Sequence, residues 1–566
     1  MIPRRAHLFL IGLALVLAGS VLAQIVQGTG DIALRDVQFR SAGGHQLAAT
    51  LYIPPGATDA HPAPAVLTVH TTLASRASQS GLAIELARRG YVVLALDQPG
   101  HGQSDPRAFA DGLGGADGLR YLRALDIVDP ARIGLEGHGT GGAAVLMAAE
   151  TTPDQYQAMV LDGAAPGGAG LRDGTPDFPR NLAVIYGRYD GFSRMLWGTE
   201  RATDIGRSEK LTKLFGVHQE VVAGRIYGDR LAGTARVLFS PPIANPMAPI
   251  SREAIGDAVS WFDRSLRPGE AIKGTDQVWM WQAVGRVAAL VGLLMVLLGT
   301  FHLLLGLPPF HALIDQPDSA VAARDGHWWC DAFLTAWVPV MTFFAFLRLG
   351  AIWLPPGAIF RQAIPNQLLV WMLLNAIITL GVGRLLGISP ATATVRLAPA
   401  IGIAMASFAL CLLMATVAAQ WFAIDFGFWI FALRPMNAGQ FLRFLIYLPG
   451  FTLALGIGLH RLNTGLSVYN DSALVQYFSN IATLAGGIFI FLAVQYGTLL
   501  TRGQLLSWSQ PTNIVLALQL LPIVVAVAVV ATFTWRRTGN ALVGGLMSGM
   551  LVTWYFVVGQ ATNISW

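Results

Sequence analysis

The sequence predicts a chain in two parts: an α/β half built on a mostly parallel sheet, then an all-α half of membrane type. Three observations carry this. Residues 28–275 alternate short β-rich runs with helical stretches, the pattern of a parallel sheet flanked by helices. Residues 276–566 fall into apolar runs long enough to cross a bilayer. Charge divides at the same place, with 24 Lys/Arg against 27 Asp/Glu in residues 31–276 and 12 against 6 in residues 277–566. The 566-residue chain is 54% hydrophobic and 13% charged, with mean hydropathy +0.52. Its formal charge of +5 comes from loops between apolar runs, so nucleic-acid binding has no support.

At the amino terminus, Arg4 and Arg5 precede an apolar run from Leu8 to Val26. Val21-Leu22-Ala23 offers a cleavage site, but the run is long enough to span, so residues 1–27 read as a signal anchor or, alternatively, a signal peptide. Either places residues 28–275 outside the cytoplasm. Predicted strands are 32–41, 46–53, 65–70, 91–97, 133–136, 158–162, 182–186 and 235–241, with a hairpin over 220–227 and a closing helix over 251–266. Residues 270–276 read as a polar linker. The membrane part, 276–566, holds about eight candidate helices, near 284–305, 331–354, 368–387, 398–420, 439–459, 477–500, 513–534 and 541–562. With the α/β half outside, Arg324, Arg384, Arg396, Arg461, Arg536 and Arg537 fall on the cytoplasmic side. Arg361, Arg434 and Arg502 fall outside, a positive-inside bias.

Four segments carry a resemblance. Val66-Leu67-Thr68-Val69-His70 ends a strand in histidine, and Leu94-Ala95-Leu96-Asp97-Gln98-Pro99-Gly100-His101-Gly102-Gln103-Ser104-Asp105 is the next strand with the G-H-G-x-S loop that follows it. Val128-Asp129-Pro130-Ala131-Arg132-Ile133-Gly134 is the approach to the strand, tight glycine turn and small-residue helix of Leu135-Glu136-Gly137-His138-Gly139-Thr140-Gly141-Gly142. Ile185-Tyr186-Gly187-Arg188-Tyr189-Asp190 is a strand whose tip carries an acid. Residues 40–266 thereby resemble the α/β-hydrolase superfamily, most closely its dienelactone-hydrolase and prolyl-oligopeptidase-like branches. The resemblance implies a Ser…Asp…His triad with the serine in a G-x-S-x-G elbow. Gly139 stands at the serine position. Asp190 fills the acid position. The histidine is expected on residues 242–250, which contain none; Asn245 lies there instead. Thr71 and Thr72 follow His70 where the family usually has glycine. With nucleophile and base both missing, serine-hydrolase chemistry is not expected.

Two cysteines, Cys330 and Cys411, exclude a disulfide framework. No metal-spaced cluster or nucleotide loop occurs, so neither metal nor cofactor is expected. In the membrane part Asp331 and Arg348 read as snorkelling groups, and Asp425, in an aromatic stretch, as lipid-contacting or packed on the α/β half. The resulting expectation is a multi-pass cell-membrane protein with a pseudoenzyme domain that binds a small-molecule or protein ligand, with membrane lipids as partners. Its candidate ligand cleft is His70, Thr71, His138, Thr140 and Asp190. The alternatives are an ester or peptide hydrolase with a displaced nucleophile, and a transporter or lipid-handling protein with a regulatory hydrolase-like domain.

Overall fold

The computed structural model describes residues 4–105, 111–168, 170–266, 272–314, 323–385, 396–468 and 471–559. The strands are β1 (Ala33–Arg40), β2 (Gln46–Ile53), β3 (Ala63–Val69), β4 (Val92–Leu96), β5 (Val128–His138), β6 (Ala158–Asp162), β7 (Leu182–Ile185), β8 (Ile226–Tyr227) and β9 (Arg236–Phe239). They form one sheet in the order β1-β2-β4-β3-β5-β6-β7-β9-β8. β4, β3, β5, β6, β7 and β9 run parallel, with antiparallel strands at the two edges. Every residue of β3 and β4 is buried, as parallel strands covered on both faces require. Edge strand β1 alternates between exposed and half-buried positions.

Two apolar cores sandwich the sheet. Helices Gly115–Arg123 and Thr140–Thr151 contribute Leu119, Leu122, Val145 and Leu146 to one face. Helices Ser80–Ala87 and Arg252–Leu266 contribute Leu82, Ile84, Leu86, Trp261 and Phe262 to the other. The hairpin expected over 220–227 is not formed: only Ile226 and Tyr227 are extended, and they pair with β9. Gly224 and Gly228, at φ +80° and +72°, turn the chain on either side and leave room for two paired residues.

The helical half among the described residues holds seven long apolar helices from Trp279 to Gly559, each of spanning length; His7–Gln27 is an eighth. The span expected over 331–354 is broken into Gly326–Met341 and Phe343–Trp353, bent by 54°. Pro339 removes a donor near the break, and the Thr342 hydroxyl donates back to the Val338 carbonyl at 2.8 Å. Snorkelling does not describe Asp331: it is buried and pairs with Arg461 at 2.9 Å, across 130 residues of sequence that helix spacing could not connect. Arg348 is exposed.

Of the expected linker, 270 and 271 lie outside the described residues, and 272–276 are pinned. Arg89, fully buried, donates to the carbonyls of Ile272, Lys273 and Asp276. Beside it, buried Glu85 accepts the backbone N–H groups of Val278 (2.7 Å) and Trp279 (3.1 Å), at the start of the neck helix Trp279–Leu304. Its second oxygen takes Arg88 and Arg89, each at 2.8 Å. One carboxylate thus satisfies orphan donors at a helix N-terminus and two guanidiniums at once. Glu85→Leu should lower the unfolding free energy of the full chain by about 3–5 kcal/mol, because Arg89 is left buried and unpaired. Replacing exposed Asp59 with Ala should change it by less than about 0.5 kcal/mol. Equal effects in a denaturation series would remove Glu85 from this role.

Candidate functional site

β5 runs directly into helix Thr140–Thr151, and Gly139 makes the turn at φ +53°, ψ −115°. Its N–H donates to the Asp162 carbonyl at 2.8 Å. Few residues other than glycine hold this backbone without strain. The space a side chain would need is already taken. A Cβ on Gly139 would lie 2.9 Å from Thr71 Cβ and closer still to Thr71 Oγ1.

The donors that would stabilise an oxyanion are occupied as well. The Thr140 N–H, first after the elbow, points to Thr71 Oγ1 at 3.4 Å. The Thr72 N–H donates to Thr140 Oγ1 at 2.7 Å, and the two threonine hydroxyls lie 3.0 Å apart. Two threonine hydroxyls, those of Thr71 and Thr140, therefore occupy the N–H pair that acyl transfer would direct at a substrate oxygen.

Asp190, after β7, accepts from the Phe192 N–H at 2.7 Å and from the Asn245 side-chain amide at 3.2 Å. Asn245 thus sits in hydrogen-bond contact with the acid, as a base would, yet an amide cannot take up a proton near neutral pH. Burial pushes the Asp190 carboxyl up to about 6, held back by those two donors. His218 is exposed and is not among the groups bonded to Asp190.

The histidines are structural. His70 is buried, its Nδ1 against the Thr71 carbonyl at 2.8 Å and its Nε2 accepting from the Gln98 N–H at 3.1 Å. Burial, then neighbouring His101, holds it neutral, down at about 3. His138 is buried with neither ring nitrogen bonded, and burial lowers it to about 4. Glu136 is driven well above the usual carboxylate range by burial and then by the charge of Asp162. Of the five residues expected to line a cleft, His70, His138 and Asp190 are buried, and Thr71 and Thr140 are half-buried and joined by hydrogen bonds.

The helical half forms the roof. Gln519 donates to the Leu73 carbonyl at 2.8 Å, and Trp429 Nε1 to the Pro246 carbonyl at 2.8 Å, one residue past Asn245. Leu505 abuts Gly191, beside Asp190. Leu73, Ala74 and Ala244 belong to the same apolar cluster as the long helices. Sequence reading offered only the stretch around Asp425 as packed on the α/β half and missed the rest of this cover. Its one signal was the aromatic stretch around Asp425, which does pack on the α/β half: Asp425 is gripped by Arg286 and Arg434, and Arg434 reaches Ser75.

The family model described as "alpha/beta hydrolase fold" matches residues 64–192. Among solved structures, a hypothetical protein from Pseudomonas aeruginosa aligns at 27% identity over 23% of this chain and 43% of its own, with TM-score 0.22. An epoxide hydrolase from an endophytic Streptomyces aligns at 24% identity over 24% of this chain and 38% of its own, TM-score 0.20. A Pyrococcus furiosus esterase aligns at 15% identity over 42% of this chain and 95% of its own, TM-score 0.30. The chain spans less than half the length of the first two. The search of curated proteins found no match. The sheet-bearing half has the α/β-hydrolase fold, joined to a helical region with several long apolar helices.

Asp190 gives the site a pH signature. Its carboxyl titrates at about 6 when folded, above its ordinary value of 3.8. Between those values the folded chain keeps a proton that the unfolded chain has released. Its contribution to stability therefore falls as pH rises from about 4 to about 6, then stays flat. Asp190→Asn should flatten that slope, by at most about 3 kcal/mol across the window. Thermal unfolding of both chains over pH 4–8 measures it, and identical slopes would exclude Asp190 as the source.

Proposed function

We propose that this chain is a multi-pass membrane protein whose hydrolase-fold half has lost acyl-transfer chemistry and works by binding a ligand or partner. One observation carries the reading: Thr71 fills the space of the nucleophile side chain, and the adjacent threonine hydroxyls consume the oxyanion donors. The Asp190–Asn245 contact supports it, since the acid is paired to an amide that cannot act as a base. The binding role is an inference from a preserved fold without its chemistry.

The N-terminal helix is retained as a signal anchor in this reading. Gly12 and Gly19 face Gly292 and Gly285 of the neck helix, seven residues apart on both sides. A Cβ at Gly12 would stand 2.8 Å from the Gly292 carbonyl oxygen, and one at Gly19 2.7 Å from Ala289 N. Backbones this close are how helices associate in lipid, where burying apolar surface gives no drive. Arg4 and Arg5 then hold the amino terminus inside, and the α/β half lies outside the cytoplasm.

Two measurements test these statements. Against a fluorophosphonate probe and p-nitrophenyl acetate, the full chain should neither label nor turn over above the buffer rate. Turnover abolished by Thr71→Val or Thr140→Val would establish a displaced nucleophile instead. For topology, Cys330 and Cys411 are replaced and Thr275, exposed beside the neck, becomes the single cysteine. Gly274 is unsuitable, because a Cβ there would meet Ser260 Oγ at 2.7 Å. Thr275→Cys should react with an impermeant maleimide in intact cells; reaction only after permeabilisation would reverse the orientation.

A further inference from the structure

The two edges of the sheet differ. β8 offers two extended residues, whereas β1 offers eight, paired with β2 along their whole length without a bulge. No strand follows β1 in the sheet, so its outer side carries a row of unpaired backbone groups, the feature through which one sheet joins another.

Which groups face outward follows from the ladder. The Ser41 N–H donates to the His45 carbonyl at 2.8 Å, a bonded pair that continues the Arg40–Gln46 register. Bonded and non-bonded pairs alternate in an antiparallel ladder, so residues 39, 37 and 35 also bond inward to β2. The opposite strand agrees. The N–H groups of Gln46 and Ala48, which stand across from Arg40 and Gln38, turn away from β1 to Asp105 and Ser104. The N–H and C=O groups of Asp36, Gln38 and Arg40 therefore point out of the sheet. The row ends at Ala42, whose N–H is taken by Asp117 at 3.0 Å.

Asp36 and Arg40 are exposed, and charges on an edge ordinarily keep other strands away. Their order reverses that effect for one partner, a second copy. A two-fold axis through Gln38 sets Asp36 opposite the partner's Arg40, and Arg40 opposite the partner's Asp36, on one face of the joined sheet. On the other face Val37 meets the partner's Phe39, both half-buried in the single chain. Moving the axis to Asp36 would set two carboxylates against each other, and moving it to Arg40 two guanidiniums. Asp36 has an oxygen to give: its bonds to Thr50 and Arg76 both end on Oδ1, which leaves Oδ2 for the cross-strand pair.

The same pairing suits two copies in one bilayer. Leu34, Asp36, Thr50 and Tyr52 share one face of β1 and β2, and they line a cavity of about 470 Å³ whose far wall includes Asp425, Arg434 and Gln440 of the helical half. At this edge the sheet turns a face, not its rim, toward the helices. The two-fold axis stands perpendicular to that face, along the direction in which the helices lie, so both helical halves point the same way.

We propose that β1 pairs antiparallel with β1 of a second copy of this chain, about a two-fold axis at Gln38, and joins two sheets into one across the surface of a single membrane. The bonded pairs over 36–40 supply about six backbone hydrogen bonds. The two Asp–Arg pairs fix the register. A strand contact of this length is small beside a standard protein interface, and confinement of both copies in one bilayer raises their effective concentration. The proposal goes beyond the binding role given above. It is independent of the silent elbow and of which side of the membrane the α/β half occupies.

The test uses the full chain with Cys330 and Cys411 replaced, in isolated membranes, under copper–phenanthroline oxidation, with dimer read on non-reducing gels. In this register the two Cα atoms at 38 lie about 5.5 Å apart, within disulfide reach. Those at 40 lie about 15 Å apart. Gln38→Cys should therefore form a chain-to-chain disulfide at least about tenfold faster than Arg40→Cys. Arg40→Asp sets an acid against Asp36 and should slow the Gln38→Cys reaction about fivefold or more. Combining it with Asp36→Arg should restore most of the rate. Equal rates at 38 and 40, or no disulfide in a chain that melts as the parent does, would overturn the pairing. So would a Gln38→Cys disulfide to a different protein, or a charge reversal without effect.

Discussion

Everything about the relation of the two halves depends on the junction at Glu85. A buried carboxylate is costly unless its lone pairs are used, and here two backbone donors of the neck helix and two arginines use them. The first turn of the neck helix is thereby fixed to the sheet-side helix Ser80–Ala87 instead of hanging from a linker. The glycine seam then fixes the N-terminal helix to the neck helix, so the chain enters and leaves the α/β half through one rigid pair. With both ends clamped together, the half has little freedom to swing away from the helices beneath it.

That geometry decides the fate of the elbow. In an open hydrolase fold the carboxyl-terminal edge of the sheet faces a cleft; in this chain the same edge faces Gln519, Trp429 and Leu505. A serine would need both an oxygen-sized gap and water access. Thr71 removes the first by sitting where the side chain would go, and the helical roof restricts the second. The filled elbow and the docking of the helical half are consequently one structural arrangement, with the threonine cluster as the partner of the elbow donors.

Much of this was legible in the sequence and some was not, for definable reasons. Fully buried strands such as β3 and β4 announce themselves as continuous apolar runs, and the family resemblance placed Asp190 and the loop carrying Asn245 in one site. The Thr71–Thr140 interlock was only half legible: two threonines in place of glycine signalled a disturbed oxyanion loop, but not that their hydroxyls would satisfy its donors. The partners of Asp425 were illegible. Arg286 lies 139 residues away and Ser75, reached through Arg434, lies 359 residues from that arginine. Neither helical period nor loop length encodes contacts of that separation. Asp331 failed in the same way, because its partner Arg461 arrives from another helix.

The electrostatics of the two neighbourhoods run in opposite directions, and the contrast has a physical cause. Around the elbow no guanidinium is bonded to Asp190, and burial raises both that carboxyl and Glu136, drawing charge out of the old site. Around the interfacial cavity burial acts the same way, but Arg76, Arg286 and Arg434 more than offset it, so Asp97 and Asp425 stay charged. A recognition site for an ion needs fixed charge with room beside it, whereas a catalytic acid–base pair needs groups that exchange protons near working pH. At the elbow burial favours the protonated form of both acids. The cavity between the sheet and the helical half has immobile charge held in ion pairs. Fixed, paired charge is therefore retained at the seam between the halves, where the α/β fold supplies one wall and the helices the other.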